Sequence, residues 1–494
     1  MDKPTMHMLS VEEKSGETSK TNQYLAAVAA AIGAVIAGTI LAWTSPALPQ
    51  LQPPAPDANG SVVLSIMTVV NGSNVTTLLN SKGQPAEFLL DTSQSSLVSS
   101  ILAIGAAVSA LPVGMMAQKF GRRPTILLLS IPFMLNWLLI IFANGAGMLI
   151  AARFFAGIGT GGICVAAPMY IGEIAETSIR GSLGAFFQLF LTVGILLTFV
   201  AGAGTHWRVL SIVCAVLPPL LVAVFWWMPE SPSFLLARGR RAAAERALRF
   251  LRGPRADLAA ALHDMQLELD ASSRQRGGML SMLQHKSSRM ALVCSLGLMF
   301  FQQFSGINAV IFYTENIFSS AGSDIPSAIA AIIVGVVQTI ATCISSLLIE
   351  RAGRRILLLQ SCIIMAICLI VLGVYFKLQA DKFNVAALGW LPLVCLVLFI
   401  VSFSLGFGPI PWMMMAELFS VEYRGSASGV AVIMNWCLVF IVTLCFPLMK
   451  EALGIYSCFW FFSGFMVICV FFTFFLIPET KGKTVSQIQA ILGK

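Results

Sequence analysis

The stretch Gln118-Lys119-Phe120-Gly121-Arg122-Arg123 decides the fold, because it returns later as Glu350-Arg351-Ala352-Gly353-Arg354-Arg355. Each copy lies between two long apolar runs. Two further elements repeat in the same order. Glu173 is followed by Arg180-Gly181, and Glu417 is followed at the same spacing by Arg424-Gly425. Pro229-Glu230 closes the sixth apolar run, and Pro478-Glu479 closes the last. Three matching elements in one order at near-constant offset mark a duplicated chain.

Composition fixes the solvent that this duplicated chain lives in. Of 494 residues, 57% are hydrophobic and only 11% are charged, against about 25% charged in an ordinary soluble domain. Mean hydropathy is +0.84. So few charges cannot cover a water-exposed surface, so this is an integral membrane protein. Its apolar runs are uninterrupted rather than alternating, which excludes a β-barrel and predicts helical spans. Twelve are predicted, at 23–43, 95–117, 124–143, 147–171, 181–203, 207–228, 289–316, 325–348, 355–376, 387–415, 426–448 and 454–477. The fold class is therefore an all-α membrane protein, with twelve transmembrane helices in two pseudo-symmetric six-helix bundles.

The rest of the chain falls around these bundles. Residues 1–22 form a polar tail, whose n-region is neither short nor basic, so the first span reads as permanent rather than as a cleaved signal. The N-terminal bundle covers 23–228 and is interrupted by a loop at 44–94. That loop holds Pro46, Pro49, Pro53, Pro54 and Pro56 and the glycosylation sequons at Asn59, Asn71 and Asn74. A basic linker at 229–288 shows helical pattern over 242–251 and 258–269. The C-terminal bundle covers 289–477, and 478–494 form a second tail.

Charge sets the orientation, since Lys and Arg collect on the cytoplasmic side. With both termini cytoplasmic, 25 of the 31 Lys and Arg fall on that side. Lys82, Arg208, Lys377, Lys382 and Lys450 fall outside, and Arg153 lies within a span as a structural charge near its outer end. The same orientation exposes all three sequons to the extracellular side, as expected of a multi-pass plasma-membrane protein. The net charge of +8 is spent on this asymmetry and is no nucleic-acid signal. All eleven cysteines sit in apolar runs and read as small apolar side chains. The four histidines show no ligand spacing, so no metal or other cofactor is expected. Gly482-Lys483-Thr484 resembles the end of a phosphate loop, but Ile477 stands where the first glycine is required. No enzymatic constellation and no obligate protein partner is implied.

Two six-span halves joined by a basic linker match a transporter plan in which substrate sits between the halves near the bilayer midplane. Polar side chains inside spans are costly and are therefore candidates for the site. Span 7 carries Gln302, Gln303 and Asn308, with Gly306 between them to permit a break. Gln188 lies in span 5, Gln338 in span 8 and Asn435 in span 11. For each the competing reading is an inter-helix amide bond. Trp412 follows Gly406, Gly408, Pro409 and Pro411, where the helix should break. An aromatic at such a break is a stacking platform and gate, or else a lipid-facing tryptophan at the interface. Phe312-Tyr313 is an outer gate or a bulky core pair.

With these residues in place the chain resembles the major facilitator superfamily, sugar porter type, close to facilitative glucose transporters and insect trehalose transporters. The likeness runs over 24–483. It rests on Pro168, Tyr170, Glu173, Arg180 and Gly181, on Pro229-Glu230-Ser231-Pro232, and on Gln302-Gln303 with Ser305, Gly306 and Asn308. It rests also on Gly408-Pro409-Ile410-Pro411-Trp412 and Pro478-Glu479-Thr480. The segment 43–49 looks more like the insect trehalose branch. The resemblance implies sugar contacts from Gln188, Gln302, Gln303, Asn308, Gln338, Trp412 and Asn435. It implies a conformational latch from two charge sets: Lys119, Arg122, Arg123, Glu173, Arg180 and Glu230, and Glu350, Arg354, Arg355, Glu417, Arg424 and Glu479. Gln118 replaces the usual Asp of the first set, and Ser233 replaces a frequent Arg. Ser404 stands where some mammalian glucose carriers have an acid. Proton-coupled sugar porters typically carry an Asp in span 1, and 24–43 contains no acid. The expectation is passive uniport of a hexose or trehalose by alternating access. A proton symporter and a non-transporting sugar sensor are the alternatives.

Overall fold

The computed structural model describes residues 19–54, 65–70, 73–80, 85–176, 178–254, 257–274, 284–322, 325–419, 421–483 and 485–493. Among them are twelve helical segments long and apolar enough to cross a membrane. They are Thr21–Gln50, Thr92–Phe120, Arg122–Ile141, Ala146–Ile174, Arg180–Gly202 and Trp207–Phe225, then Lys286–Phe312, Ser327–Ile349, Arg354–Ala380, Leu391–Met415, Ala427–Leu453 and Ile455–Leu476. We number these spans 1 to 12. All twelve predicted spans are present in order. The even number places both termini at one end of the bundle, the terminal face. The residues between spans 1 and 2 lie at the other end, the loop face.

The two halves pack alike. Span 2 packs on span 4 and span 1 on span 5, and correspondingly span 8 packs on span 10 and span 7 on span 11. Between the halves, span 2 meets span 11 and span 5 meets span 8. These two contacts exchange under the duplication. In lipid no hydrophobic force drives helices together, so close approach depends on small residues. Gly105 and Gly157 supply it where span 2 crosses span 4: a Cβ on either would collide with the other helix's backbone. Outward faces carry apolar side chains such as Leu347, Phe471 and Phe475, each more than half exposed, as a lipid-facing surface requires.

The repeated glycine has a structural cause. Gly121 and Gly353 adopt φ of +115° and +92°, which L side chains avoid. A Cβ at Gly353 would lie 2.8 Å from Glu479 Oε2, and one at Gly121 would collide with Glu230. Each glycine therefore lets a chain reversal sit against the acid that ends its own half.

Two features depart from the sequence reading. Span 1 does not stop at residue 43. It continues through the helical turn Thr44–Ala47 and the 3₁₀ turn Leu48–Gln50, all buried. Pro46 and Pro49 fit because proline is tolerated in the first turn of a helical segment. The loop that follows is not irregular throughout: β1 (Ser65–Val70), β2 (Ser73–Leu79) and β3 (Pro85–Ala86) form an antiparallel sheet in that order. Asn74 lies in β2, paired with Val69. Asn59 and Asn71 lie outside the described residues.

The linker forms helices Pro232–Ala237, Arg241–Arg252 and Leu258–Arg274. They share a small apolar core of Phe234, Leu235, Leu236, Ala244, Leu248 and Leu262. The C-terminal segment adds a helix, Val485–Gly493. It buries Ile488 and Leu492 and packs on span 7 and the last turns of span 10.

Candidate substrate site

Two broken helices meet at the centre of the C-terminal half. Span 7 is helical through Phe304, reverses at Gly306 with φ +84°, and resumes at Ile307. Ser305 caps both sides of this break: its hydroxyl donates to the Gln302 carbonyl at 2.7 Å and accepts from the Ile307 N–H at 3.3 Å. Span 10 is helical through Leu405 and resumes at Ile410. Between them, the Gly408 N–H reaches back to the Phe403 carbonyl at 2.7 Å. Such breaks leave backbone groups without helical partners, and the interior must supply them.

Gln302 supplies one such bond across the two breaks. Its Nε2 donates to the Phe407 carbonyl at 2.7 Å and the Gly408 carbonyl at 3.1 Å. Gln303 turns the other way. Its Nε2 donates to Asn435 Oδ1 of span 11 at 2.6 Å and, more weakly, to Gln302 Oε1 at 3.4 Å. Asn308 Nδ2 donates to Gln303 Oε1. Four of the seven expected contacts are thus one chain of amides, with Gln302, Gln303 and Asn435 all under 5% exposed. Asn435 Nδ2 and Asn308 Oδ1 are left without a partner among the described residues. The cluster carries no net charge and offers donors and acceptors side by side, as hydroxyl recognition requires.

The other three lie apart from this chain. Trp412 is half-buried against Met299, Met415 and Ala431, between spans 7 and 11. Gln338 is 3% exposed on span 8, and its Oε1 is buried without a hydrogen-bond partner. Gln188 is half-buried on span 5 and makes no hydrogen bond to a described residue. Pro411 is buried and Pro409 half-buried at the span 10 break.

Phe312 and Tyr313 sit where the halves join at the loop face. Thr44 Oγ1 donates to the Phe312 carbonyl at 3.1 Å, and Ser45 Oγ accepts from the Glu315 N–H at 3.1 Å. Asn316 donates to Gln52 Oε1 at 3.0 Å. The Tyr313 hydroxyl donates to the Thr443 carbonyl at 3.1 Å, and its ring packs on Phe446 with centroids 5.4 Å apart. Span 1 is therefore stitched to span 7 at this end. Thr44 and Ser45 escaped the sequence reading, which ended the span at residue 43, seven residues before its helical turns end at Gln50. Arg153 is fully buried beneath this seam. It donates to the Ile40 and Val98 carbonyls at 2.6 and 3.3 Å and pairs with no described carboxylate.

At the terminal face the two charge sets form matching clusters, each within its own half. Arg122 pairs with Glu173 at 2.7 Å, and Arg354 with Glu417 at 3.0 Å. Glu230 accepts the backbone N–H groups of Arg122, Arg123 and Ser231 at 3.0, 3.2 and 2.8 Å. Glu479 accepts those of Arg354, Arg355 and Lys481 at 3.0, 3.1 and 2.9 Å. Two hydroxyls that sequence reasoning passed over complete the repeat: Ser231 donates to Glu173, and Thr480 to Glu417. Their signal was present in the parallel Pro-Glu-Ser and Pro-Glu-Thr runs. The acids differ in environment. Burial pushes the Glu230 carboxyl above its ordinary range despite its three N–H donors. For Glu479 burial also acts upward, but donors including Lys481 and Arg354 outweigh it and hold the group below that range. Lys119 and Arg180 are exposed and stand outside these ion pairs. The side chains of Glu350 and Arg424 lie outside the described residues.

The family model described as "Sugar (and other) transporter" matches residues 59–492. The facilitated trehalose transporter Tret1 of Drosophila yakuba is 38% identical over 468 residues, 94% of this chain and 51% of that protein. Tret1-1 of Drosophila sechellia is 39% identical over 469 residues, with shares of 94% and 51%. The chain thus spans about half the length of the curated relatives it matches. Among solved structures, the Escherichia coli xylose transporter XylE in a partially occluded inward-open conformation superposes with a TM-score of 0.74 at 22% identity. The match covers 94% of this chain and all of that one. XylE described as a proton:xylose symporter bound to 6-bromo-6-deoxy-D-glucose gives 0.73 at 23% identity, covering 96% and 99%.

Proposed function

This chain belongs to the sugar (and other) transporter family of the major facilitator superfamily, and from that membership we propose that it carries a neutral sugar across the plasma membrane by alternating access. The observation that carries this reading is the uncharged amide chain Gln302–Gln303–Asn308–Asn435 at the meeting point of two broken helices. A sugar hydroxyl both donates and accepts, so it can insert between such amides and replace their mutual bonds at little net cost. Trp412 adds an aromatic face for the apolar side of the ring. Gln338, with its unpartnered acceptor, and Gln188 complete the site from spans 8 and 5.

Alternation follows from where the halves are tied. The bonds from Thr44, Ser45 and Gln52 to span 7 close the loop face, while each charge cluster at the terminal face stays within one half. With cytoplasmic termini, this is a state closed to the outside. Opening outward requires spans 1 and 7 to part around Phe312 and Tyr313, while span 10 bends at Gly408, Pro409 and Pro411. The two charge clusters then come to face each other, and Lys119, Arg180, Glu350 and Arg424 join them as the latch of that state. The sequons at Asn59, Asn71 and Asn74 carry glycans on the outer side.

The sugar's own gradient drives the cycle. Span 1 contains no acid between residues 24 and 43, and the buried guanidinium of Arg153 is met by carbonyls rather than by a carboxylate that could take up a proton. Glucose or another hexose, or trehalose as in the named insect relatives, suits the amide chemistry equally. Uptake into proteoliposomes with and without an imposed proton gradient tests the reading. Equilibration without accumulation supports uniport, uphill accumulation with protons replaces it by symport, and no flux of any sugar overturns transport. Competition of labelled glucose by trehalose, fructose and inositol then selects the substrate.

A further inference from the structure

Two features of the N-terminal half lie in line along the seam of spans 3 and 6. At the terminal face, where span 3 begins, a cavity of about 570 Å³ opens beside the linker. Arg123, Arg240 and Arg246 line it, together with Phe120, Trp227 and Glu230. Arg240 and Arg246 are exposed, and neither side chain pairs with a described residue. Arg123 donates one nitrogen to the Trp226 carbonyl, but its Nε is buried with no partner. The Glu230 carboxylate is already taken by three backbone N–H groups. Three guanidinium groups therefore face one occupied carboxylate, an unbalanced positive charge. Trp227 is 78% exposed and Phe120 59%, the aromatic rim expected at headgroup depth.

Further along span 3 an apolar groove of about 330 Å³ lies between Met134, Leu135 and Leu138 of span 3 and Pro218, Pro219 and Val222 of span 6. Its origin is local. Span 6 is interrupted at Val216 ahead of the two prolines, and span 3 is interrupted at Leu129. At about 1.5 Å per residue, Met134 stands roughly 16 Å deeper in the bilayer than Arg123. A cationic pocket at headgroup depth above an apolar channel at acyl depth is the shape of one amphiphile. The C-terminal half repeats the Arg355–Phe474 and Glu479 contacts, but the linker helix Arg241–Arg252 covers only the N-terminal copy.

We propose that this seam binds one anionic phospholipid of the leaflet at the terminal face. Its phosphate and acidic headgroup sit among Arg123, Arg240 and Arg246, and one acyl chain lies in the span 3–span 6 groove. Bound lipid bridges helix Arg241–Arg252 to the N-terminal bundle, so leaflet charge sets how firmly the linker is held. The apolar groove in line with the pocket selects a lipid over free phosphate.

The test uses the purified full-length chain in detergent. It is titrated with dioctanoyl phosphatidylserine, dioctanoyl phosphatidylcholine or inorganic phosphate, with bound molecules counted by native mass spectrometry. One phosphatidylserine per chain is expected. Affinity should fall roughly 30-fold in the double variant Arg240→Gln/Arg246→Gln, the effect of two basic contacts at a charged leaflet. It should stay nearly unchanged in Arg249→Gln, which removes one positive charge from the same helix outside the pocket. Leu135→Trp, which fills the groove, should weaken the lipid as well. Equal binding of phosphatidylcholine overturns the proposal. So does an equal loss in Arg249→Gln, a full effect from inorganic phosphate alone, or undiminished lipid affinity in Leu135→Trp.

Discussion

Gln303→Ala separates a substrate site from a mere clasp between helices. Gln303 donates to Asn435 at 2.6 Å and accepts from Asn308, so truncation frees one acceptor and one donor in the interior. If the carboxamide gives two hydrogen bonds to a sugar, each worth about 1 kcal/mol net, apparent affinity falls roughly 30-fold. A clasp alone would also lose stability, by about 1 kcal/mol per bond, so affinity by itself does not decide. A series of monodeoxy sugars does. In the unaltered protein, the sugar lacking the hydroxyl that meets Gln303 should bind roughly 30-fold more weakly than its parent. In Gln303→Ala those two sugars should converge, while the other deoxy sugars keep their differences, because only groups in contact couple. The assay is counterflow of labelled glucose or trehalose in proteoliposomes, with each deoxy sugar as competitor and thermal unfolding as the control for folding. The reasoning is refuted if every sugar loses affinity by one common factor, or if none loses any.

Other expectations follow from single contacts. Gly306→Ala places a β-carbon 2.7 Å from the Phe462 ring at φ +84°; left-handed backbone alone costs about 1–2 kcal/mol, so a lowered melting temperature and slowed exchange are expected, and unchanged melting would contradict the break. Thr44→Val with Ser45→Ala removes two bonds of 3.1 Å across the loop face; each should raise the share of molecules open there about fivefold, read as longer distances between spin labels at Asn144 and Lys382, whereas unchanged distances would place the seal elsewhere. Glu479, held low, contributes stability at neutral pH that is lost as pH falls through its depressed value, whereas the charge on Glu230 costs stability at neutral pH and that cost lifts as pH falls through its raised value. Glu479→Gln should therefore lower neutral-pH melting more than Glu230→Gln, and equal effects would refute the difference in environment.

Much of the fold was legible because a membrane leaves few options: apolar runs of sufficient length must be helices, and the duplicated Gly-Arg-Arg sites mark equivalent reversals. The charge pairs Arg122–Glu173 and Arg354–Glu417 could be read from repetition, since an acid and a base in the same register of both halves invite a bond. Repetition could not show that Lys119 and Arg180 point into solvent, because exposure depends on the state of the whole molecule. The end of span 1 was hidden by Pro46 and Pro49, which signal a loop in sequence but begin helical turns here. The sheet at 65–86 was overlooked in a segment dominated by prolines, although its β-branched runs flank Asn71-Gly72, the dipeptide that hairpins favour. In the site, the amides could be picked out as polar residues in apolar spans. Their pairing could not, because Gln303 and Asn435 lie on different helices. The pocket of Arg123, Arg240 and Arg246 needed the linker folded against the bundle before it existed at all.

The account's central claim is a pocket reached by water from one side at a time. A single cysteine at Asn435, in a background with the eleven native cysteines replaced, measures this directly with membrane-impermeant thiol reagents. The account predicts labelling from the cytoplasmic side alone in the resting protein, and a shift towards labelling from outside when Thr44 and Ser45 are also substituted. Modification by lipid-soluble reagents alone, or simultaneous access from both sides, would contradict it.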